Sequence, residues 1–170
     1  MNTNTALWWI AGGAAAILLL GGGGVAVSEY LASQREKPYD GTIKAAAIQF
    51  NVPWQLLAAQ LQQESDFNPN AVSSAGAQGI AQFMPATAAA YNLTNPFDPT
   101  ASIYAEAHLM SDLYNQFGSW SAALAAYNWG AGNLQSALDQ SGNNFTLAMT
   151  SAPSQTQNYV STITGNSGIA

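Results

Sequence analysis

Glu64-Ser-Asp-Phe-Asn-Pro-Asn-Ala-Val-Ser-Ser-Ala-Gly-Ala-Gln-Gly-Ile-Ala-Gln-Phe-Met-Pro-Ala-Thr87 opens with a carboxylate in an unusual place. Counting back from Glu64, the residues Leu61, Leu57 and Trp54 recur at the three- and four-residue spacings of one helical face. Glu64 thus continues an apolar seam. It also occupies the last turn of that helix, because Asn68-Pro69 cannot continue it. Desolvation by the seam and the negative end of the helix dipole both oppose ionisation, so its pKa is expected to move up. A carboxyl still protonated near neutral pH is suited to general-acid work. A helix-end carboxylate in open water fits the same spacing. The loop that follows, rich in Asn, Ser, Ala and Gly, is a poor core and a good groove floor.

Composition divides the chain. Residues 1–38 hold Arg35 and Lys37 against Glu29 and Glu36 and sum to zero. Beyond them Asp40, Glu64, Asp66, Asp98, Glu106, Asp112 and Asp139 face Lys44 alone, so the net charge of −6 lies entirely in the second part. Such a surface argues against nucleic acid, whose phosphates require Lys and Arg. With no Cys there is neither a disulfide nor a thiolate zinc site. His108 and Asp112 stand four apart and read as a surface pair, and a lone His is weak evidence for a metal. No metal and no cofactor is expected.

From Ala6 to Val27 there is no charged or strongly polar residue, enough chain to cross a bilayer as helix. Trp8, Trp9 and Tyr30 flank the run, where interfacial aromatics belong. Gly12-Gly13 and the Gly21 to Gly24 run suit close packing against a helix partner in the membrane. A cleaved signal peptide would carry a basic start and an Ala-x-Ala site, and both are absent, so a retained anchor is expected. Arg35 and Lys37 follow the span and bias what comes after it weakly toward the cytoplasm. The expected organisation is an anchor at 1–28, a polar tether at 29–38 and one domain at 39–170.

Within that domain the pattern is helical throughout. Asp40 is expected to cap a helix to Phe50 with Ile43, Ala47 and Phe50 on its apolar side, and Pro53 suits the first turn of the next. A short helix is expected over Ala86 to Tyr91. The two prolines of Asn95 to Pro99 then force a turn. Thr100 or Ser102 is expected to open a longer helix with Ile103, Ala107, Met110, Tyr114 and Phe117 in one stripe, stopped by Gly118. Ser119 caps a helix bearing Trp120, Leu124 and Tyr127, Asn128 to Gly132 reads as a loosened turn, and helices from Leu134 and over Thr156 to Thr164 follow. No strand-like alternation and no repeat appears.

The order of the Glu64 stretch resembles the catalytic motif of the soluble lytic transglycosylase family, lysozyme-like enzymes that cleave bacterial peptidoglycan. Glu64-Ser65 precedes Phe67-Asn68-Pro69, then Ala71-Val72-Ser73, Gly76-Ala77, and Gly79-Ile80-Ala81-Gln82 where the family has Gly-Leu-Met-Gln. Ala126-Tyr127-Asn128 followed by glycines matches a third motif. Near the C-terminus the family shows Pro-x-Glu-Thr before Tyr-Val, whereas here Pro153-Ser154-Gln155-Thr156 precedes Tyr159-Val160, so Gln155 keeps the acid's size without its charge. Glu106 falls where a Gly is usual and is either a rim carboxylate or a second acid near the groove.

The resemblance implies an all-α, lysozyme-like single helical domain behind the N-terminal transmembrane helix. It further implies a lyase in which Glu64 protonates the oxygen between N-acetylmuramic acid and N-acetylglucosamine, leaving a 1,6-anhydro sugar, with Ser73, Gln82, Tyr127, Asn128 and Gln155 against the glycan. From the residues alone, Tyr127 fits a plain core position equally, and Ser73 and Gln82 fit ordinary loop polars. Two rival readings remain. One is a goose-type muramidase using Glu106 or Asp66 to position water, and the other is an inactive, membrane-held glycan-binding or assembly module. The expected setting is a single-pass protein of the bacterial inner membrane facing the periplasm, or of the internal membrane of a phage virion.

Overall fold

The computed structural model describes residues 38–169, and over them the chain is all-α. The expected span from Ala6 to Val27, and the tether as far as Lys37, lie outside the described residues. Among the described residues no helix is long and apolar enough to cross a membrane.

Helix α1 (Asp40–Phe50) and α2 (Trp54–Ser65) form a packed hairpin joined through Asn51, whose left-handed backbone ends α1. The short α3 (Pro85–Ala90) and the long α4 (Pro99–Phe117) follow, then α5 (Trp120–Trp129), α6 (Ala131–Gln140), α7 (Phe145–Met149) and α8 (Ser154–Ser167). Helix α5 lies at the centre. It buries Ala122, Ala123, Leu124, Ala125 and Ala126, and these small side chains let α4, α6 and α8 all approach it. Helix α8 packs on both α2 and α5, which is what closes a cleft between the first and last helices.

The seam on α2 exists, with one member displaced. Leu57 and Leu61 are fully buried beside Leu56, each burial worth about 1.5–3 kcal/mol, so Glu64 is carried on a firmly anchored face. Trp54, the first residue of α2, is 41% exposed although Leu56 and Leu57 in the same turn are fully buried. The termination signal also differs. Asp66 and Phe67 both adopt left-handed backbone, at φ 54 and 59, and end α2 before Asn68-Pro69 is reached.

Other boundaries shift for equally local reasons. Asp40 is the first helical residue rather than the cap, and the cap position, Tyr39, makes no side-chain bond. Asp98 caps α4 by accepting from the Ala101 N–H, so neither Thr100 nor Ser102 opens it; the Ser102 hydroxyl is buried and donates to the Pro96 carbonyl at 2.8 Å. The α4 stripe contains Ile103, Ala107 and Met110 as expected, but Leu113 takes the buried place and Tyr114 is 36% exposed. Asn128 and Trp129 stay helical, and the break is confined to Gly130. Ser119 caps α5 as expected.

Gly79 is where the groove floor meets the turn before α4. Its φ is +77, and a Cβ there would lie 1.8 Å from the Pro96 carbonyl oxygen. Left-handed strain of about 1–3 kcal/mol and a clash with backbone that cannot yield would then add. Gly79→Ala is therefore expected to lower the unfolding free energy by at least about 2 kcal/mol, read from the denaturant midpoint, with Gly76→Ala as a comparison where space is open.

Candidate active site

The loop after α2 is held by its own polar groups. The Ser65 hydroxyl donates to the Ile80 carbonyl at 2.7 Å and ties the end of α2 to the loop's far side. Ser73 exchanges backbone bonds with Ala77 and Gly76, and its hydroxyl oxygen accepts the Ala77 N–H at 3.0 Å. Gln82 sits at φ 49 and its amide donates to the Gly79 carbonyl at 2.8 Å and the Ala71 carbonyl at 3.3 Å. Antiparallel bridges from Gln78 to Val72 and to Phe83 complete the brace. Ser73 and Gln82 are thus structural bonds of the loop as well as cleft-lining groups.

Glu64, Ser73, Gln82, Tyr127, Asn128 and Gln155 all line one cleft of about 800 Å³, formed by α2, the loop, α5 and α8. Gln63, Asn158 and Thr162 add further neutral hydrogen-bonding groups. Glu64 is the single carboxylate on its walls among the described residues. Such a surface suits a ligand rich in hydroxyl and amide groups.

Glu64 is partly buried, and the Tyr159 hydroxyl donates to its Oε1 at 2.6 Å. Burial pushes its pKa from 4.5 up to about 7, against the Tyr159 bond, which favours the charged form. Tyr159 itself is held well above the usual phenol range, first by burial and then by the Glu64 charge. The Tyr127 hydroxyl donates to the Ala81 carbonyl at 2.6 Å, and its ring meets Phe83 edge-on at 6.5 Å. Tyr127 packs against the core and also lines the cleft. Asn128 accepts from the Thr156 hydroxyl at 2.9 Å, which fastens α5 to α8.

Tyr159, Thr156 and Gln60 did not emerge as site residues from the sequence. Tyr159 lies 95 residues from Glu64, and only its place two helical turns past Pro153 hinted at it. Glu106 corrects the rim reading: its side chain is completely buried, and neither carboxyl oxygen has a hydrogen-bond partner. Burial, with the Glu64 charge second, holds its pKa well above the carboxylate range. It lies under the cleft and not on its wall. Gln60, one turn before Glu64, is likewise buried with both amide atoms unpartnered. Asp66 is exposed and takes a hydrogen bond from Gln62, turned away from the cleft. His108 and Asp112 form the surface pair at 3.7 Å, with the Tyr91 hydroxyl donating to Asp112. Among the described residues no acid, His or Cys cluster could hold a metal.

Comparison with known proteins places this geometry in context. Residues 41–148 match the transglycosylase SLT domain family. A transglycosylase of Enterobacteria phage PRD1 is 42% identical over 97 residues, covering 53% of this chain and 37% of that protein. Membrane-bound lytic murein transglycosylase F of Maricaulis maris is 36% identical over 107 residues, covering 58% of this chain and 23% of the other. The chain therefore spans well under half the length of these relatives. The crystal structure of the 70 kDa soluble lytic transglycosylase of Escherichia coli superposes with a TM-score of 0.68 at 24% identity, over 84% of this chain and 25% of that one. That likeness is one of fold: an all-α, lysozyme-like helical domain.

Burial and charge at Glu64, Tyr159 and Glu106 set the response of three variants. Because the folded state keeps a proton on Glu64 that the unfolded state releases, the contribution of Glu64 to stability is full below about pH 4.5 and is lost as pH rises through about 7. Glu64→Gln, which has no proton to lose, is expected to match the parent at pH 4 and to melt at a higher temperature at pH 8. Tyr159→Phe removes the bond that favours the carboxylate, so a ¹³C titration of the Glu64 carboxyl is expected to move to higher pH. Glu106→Met, similar in volume and without polar atoms to satisfy, is expected to gain about 1–3 kcal/mol in denaturant unfolding.

Proposed function

The chain belongs to the transglycosylase SLT domain family, and from that premise we propose that its cleft cleaves peptidoglycan without water. The observation that carries the reading is the Glu64 carboxyl, its pKa raised to about 7, as the single acid on the walls of a neutral, hydrogen-bonding cleft. A glycosidase that uses water ordinarily needs a second carboxylate to bind and activate it. Here Asp66 faces solvent and Glu106 is sealed beneath the cleft, so neither is offered to a water beside the scissile bond. This weighs against the muramidase alternative.

The proposed step is balanced within the glycan. The Glu64 carboxyl gives its proton to the oxygen joining N-acetylmuramic acid to N-acetylglucosamine, and the bond from that oxygen to the muramyl anomeric carbon breaks. The carbon-6 hydroxyl of the same muramyl ring bonds to the anomeric carbon, and the Glu64 carboxylate takes the hydroxyl proton. The acid is restored and a 1,6-anhydro end is left. Tyr159 donates to Glu64 and steadies it as the carboxylate appears midway. Ser73, Gln82, Tyr127, Asn128 and Gln155 are the groups proposed to hold the sugars, and their positioning must supply most of the acceleration, since a general acid contributes about 10²- to 10⁴-fold.

The apolar run from Ala6 to Val27 is proposed to anchor this domain to a bilayer, beside helix partners that its glycines would admit. The setting is then the bacterial inner membrane on its periplasmic side or the internal membrane of a phage virion. A phage-borne relative favours the virion.

Mass spectrometry of digested peptidoglycan tests the reaction. Anhydro-muramyl ends without ¹⁸O uptake are expected from labelled water, whereas reducing ends carrying the label would establish hydrolysis. Glu64→Gln is expected to lower the rate by at least about 10²-fold. Retained lysis in that variant would remove the acid from the mechanism.

A further inference from the structure

A second groove, of about 660 Å³, lies at the other end of the helices that carry the cleft, and the chemistry above leaves it unused. Lys44, Asn51, Trp54, Gln55, Tyr114 and Trp120 line it. Trp54 opens α2 and Glu64 comes ten residues later, about 15 Å along the helix. Trp120 opens α5, and Tyr127 follows about 10 Å along. Since Trp54 meets Trp120 in one groove and Glu64 meets Tyr127 in the other, α2 and α5 run in the same sense and carry the two sites at opposite ends.

Large aromatic faces left in water are costly, and here they are gathered. Trp54 is 41% exposed and Tyr114 36% exposed, and Tyr114 stacks on Trp120 with ring centres 4.2 Å apart and planes 26° off parallel. The stacked pair forms a stiff platform. Asn51 and Gln55 put neutral donors and acceptors on the rim. Lys44 is the single Lys or Arg among the described residues, and its ammonium stands 5.2 Å from the Trp54 ring centre. It forms a loose i,i+4 ion pair with Asp40 at 3.9 Å, beyond hydrogen-bond length, so its charge is shared while its N–H donors remain open to a ligand.

We infer that this groove is a second binding site for a glycan strand bearing carboxylates, with sugar faces on the Trp54 and Tyr114–Trp120 rings and a carboxylate on Lys44. Amphipathic rings beside neutral amides suit pyranoses, whose C–H faces are apolar and whose edges are hydroxyls. No Asp or Glu lines the groove and Lys44, the single Lys or Arg among the described residues, does, so within an otherwise acidic domain this is the place that admits a carboxylate. The inference rests on peptidoglycan as the polymer, whose muramyl and peptide groups supply the carboxylates. A site at the far end holds a second strand, keeping the enzyme on an insoluble wall between cuts by raising the local concentration of the polymer.

Full-length Glu64→Gln, alone and combined with Trp54→Ala and Tyr114→Ala, would be pelleted with purified peptidoglycan sacculi to measure binding. Trp54→Ala and Tyr114→Ala in the Glu64-containing chain would be assayed on sacculi and on short soluble glycan fragments. Binding about tenfold weaker, with slower cleavage of sacculi and an unchanged rate on soluble fragments, is expected; the unchanged rate also reports an intact fold. Trp54→Tyr is expected to restore binding. Lys44→Gln is expected to weaken binding severalfold and to reduce its dependence on salt. Equal binding by the aromatic variants while the parent cleaves would overturn the second site and leave the lyase reading standing. Weakened binding with no cleavage by the parent would do the reverse, and failure of the Glu64→Gln parent to bind sacculi would sink both.

Discussion

Keeping one carboxyl mostly out of water at the end of α2 is the constraint around which the domain is arranged. The Leu56, Leu57 and Leu61 face supplies the anchorage, and the C-terminal end of the helix adds a field that also resists negative charge. Opposing both, Tyr159 offers a phenolic hydrogen to the ionised form. The result is an acid that releases and recovers its proton near neutrality at modest cost in either direction. That balance needs α8 seated against α2, so the chemistry of the cleft and the packing of the first and last helices are the same problem.

The walls of the cleft hold their shape without charges. Gln82 and Ser73 spend hydrogen bonds on their own loop, Gly79 lets that loop press against the Pro96 carbonyl, and Tyr127 and Ser65 pin its far side. Two successive left-handed residues, Asp66 and Phe67, turn the chain sharply out of α2, and the burial of the Phe67 ring offsets part of their strain. The cradle adds no charged side chain to the cleft wall, so the proton affinity of Glu64 is set by its burial and by the Tyr159 hydrogen bond, with the buried Glu106 carboxyl coupled to it from within.

What could be read in the chain was mostly local. Three- and four-residue spacing was enough to put Glu64 on the face of Leu57 and Leu61, and Pro53 and Gly118 marked the start of α2 and the end of α4. Trp54 shows the limit of that rule: periodicity tells which face a side chain shares, whereas exposure depends on where the neighbouring helices stop. Asp98 took the cap from Thr100 because its side chain, one residue before Pro99, reaches the Ala101 N–H. Glu106 was read as a rim carboxylate or a second acid near the groove because charged residues rarely lie buried and unpaired, although its place three residues after Ile103 and four before Met110 already set it on the buried stripe of α4. Tyr159 and Thr156 were hidden for a different reason, since their partners are distant in the chain and only the docking of α8 joins them.

The bond between Tyr159 and Glu64 also orders events in time. Closing a sequence separation of 95 is a non-local step, so a chain folded only through its earlier helices would have the acid but neither the partner that tunes it nor the wall that encloses it. The cleft on this architecture would be completed all at once, when the final helix docks, and a nascent or C-terminally clipped molecule would lack the lyase activity proposed above.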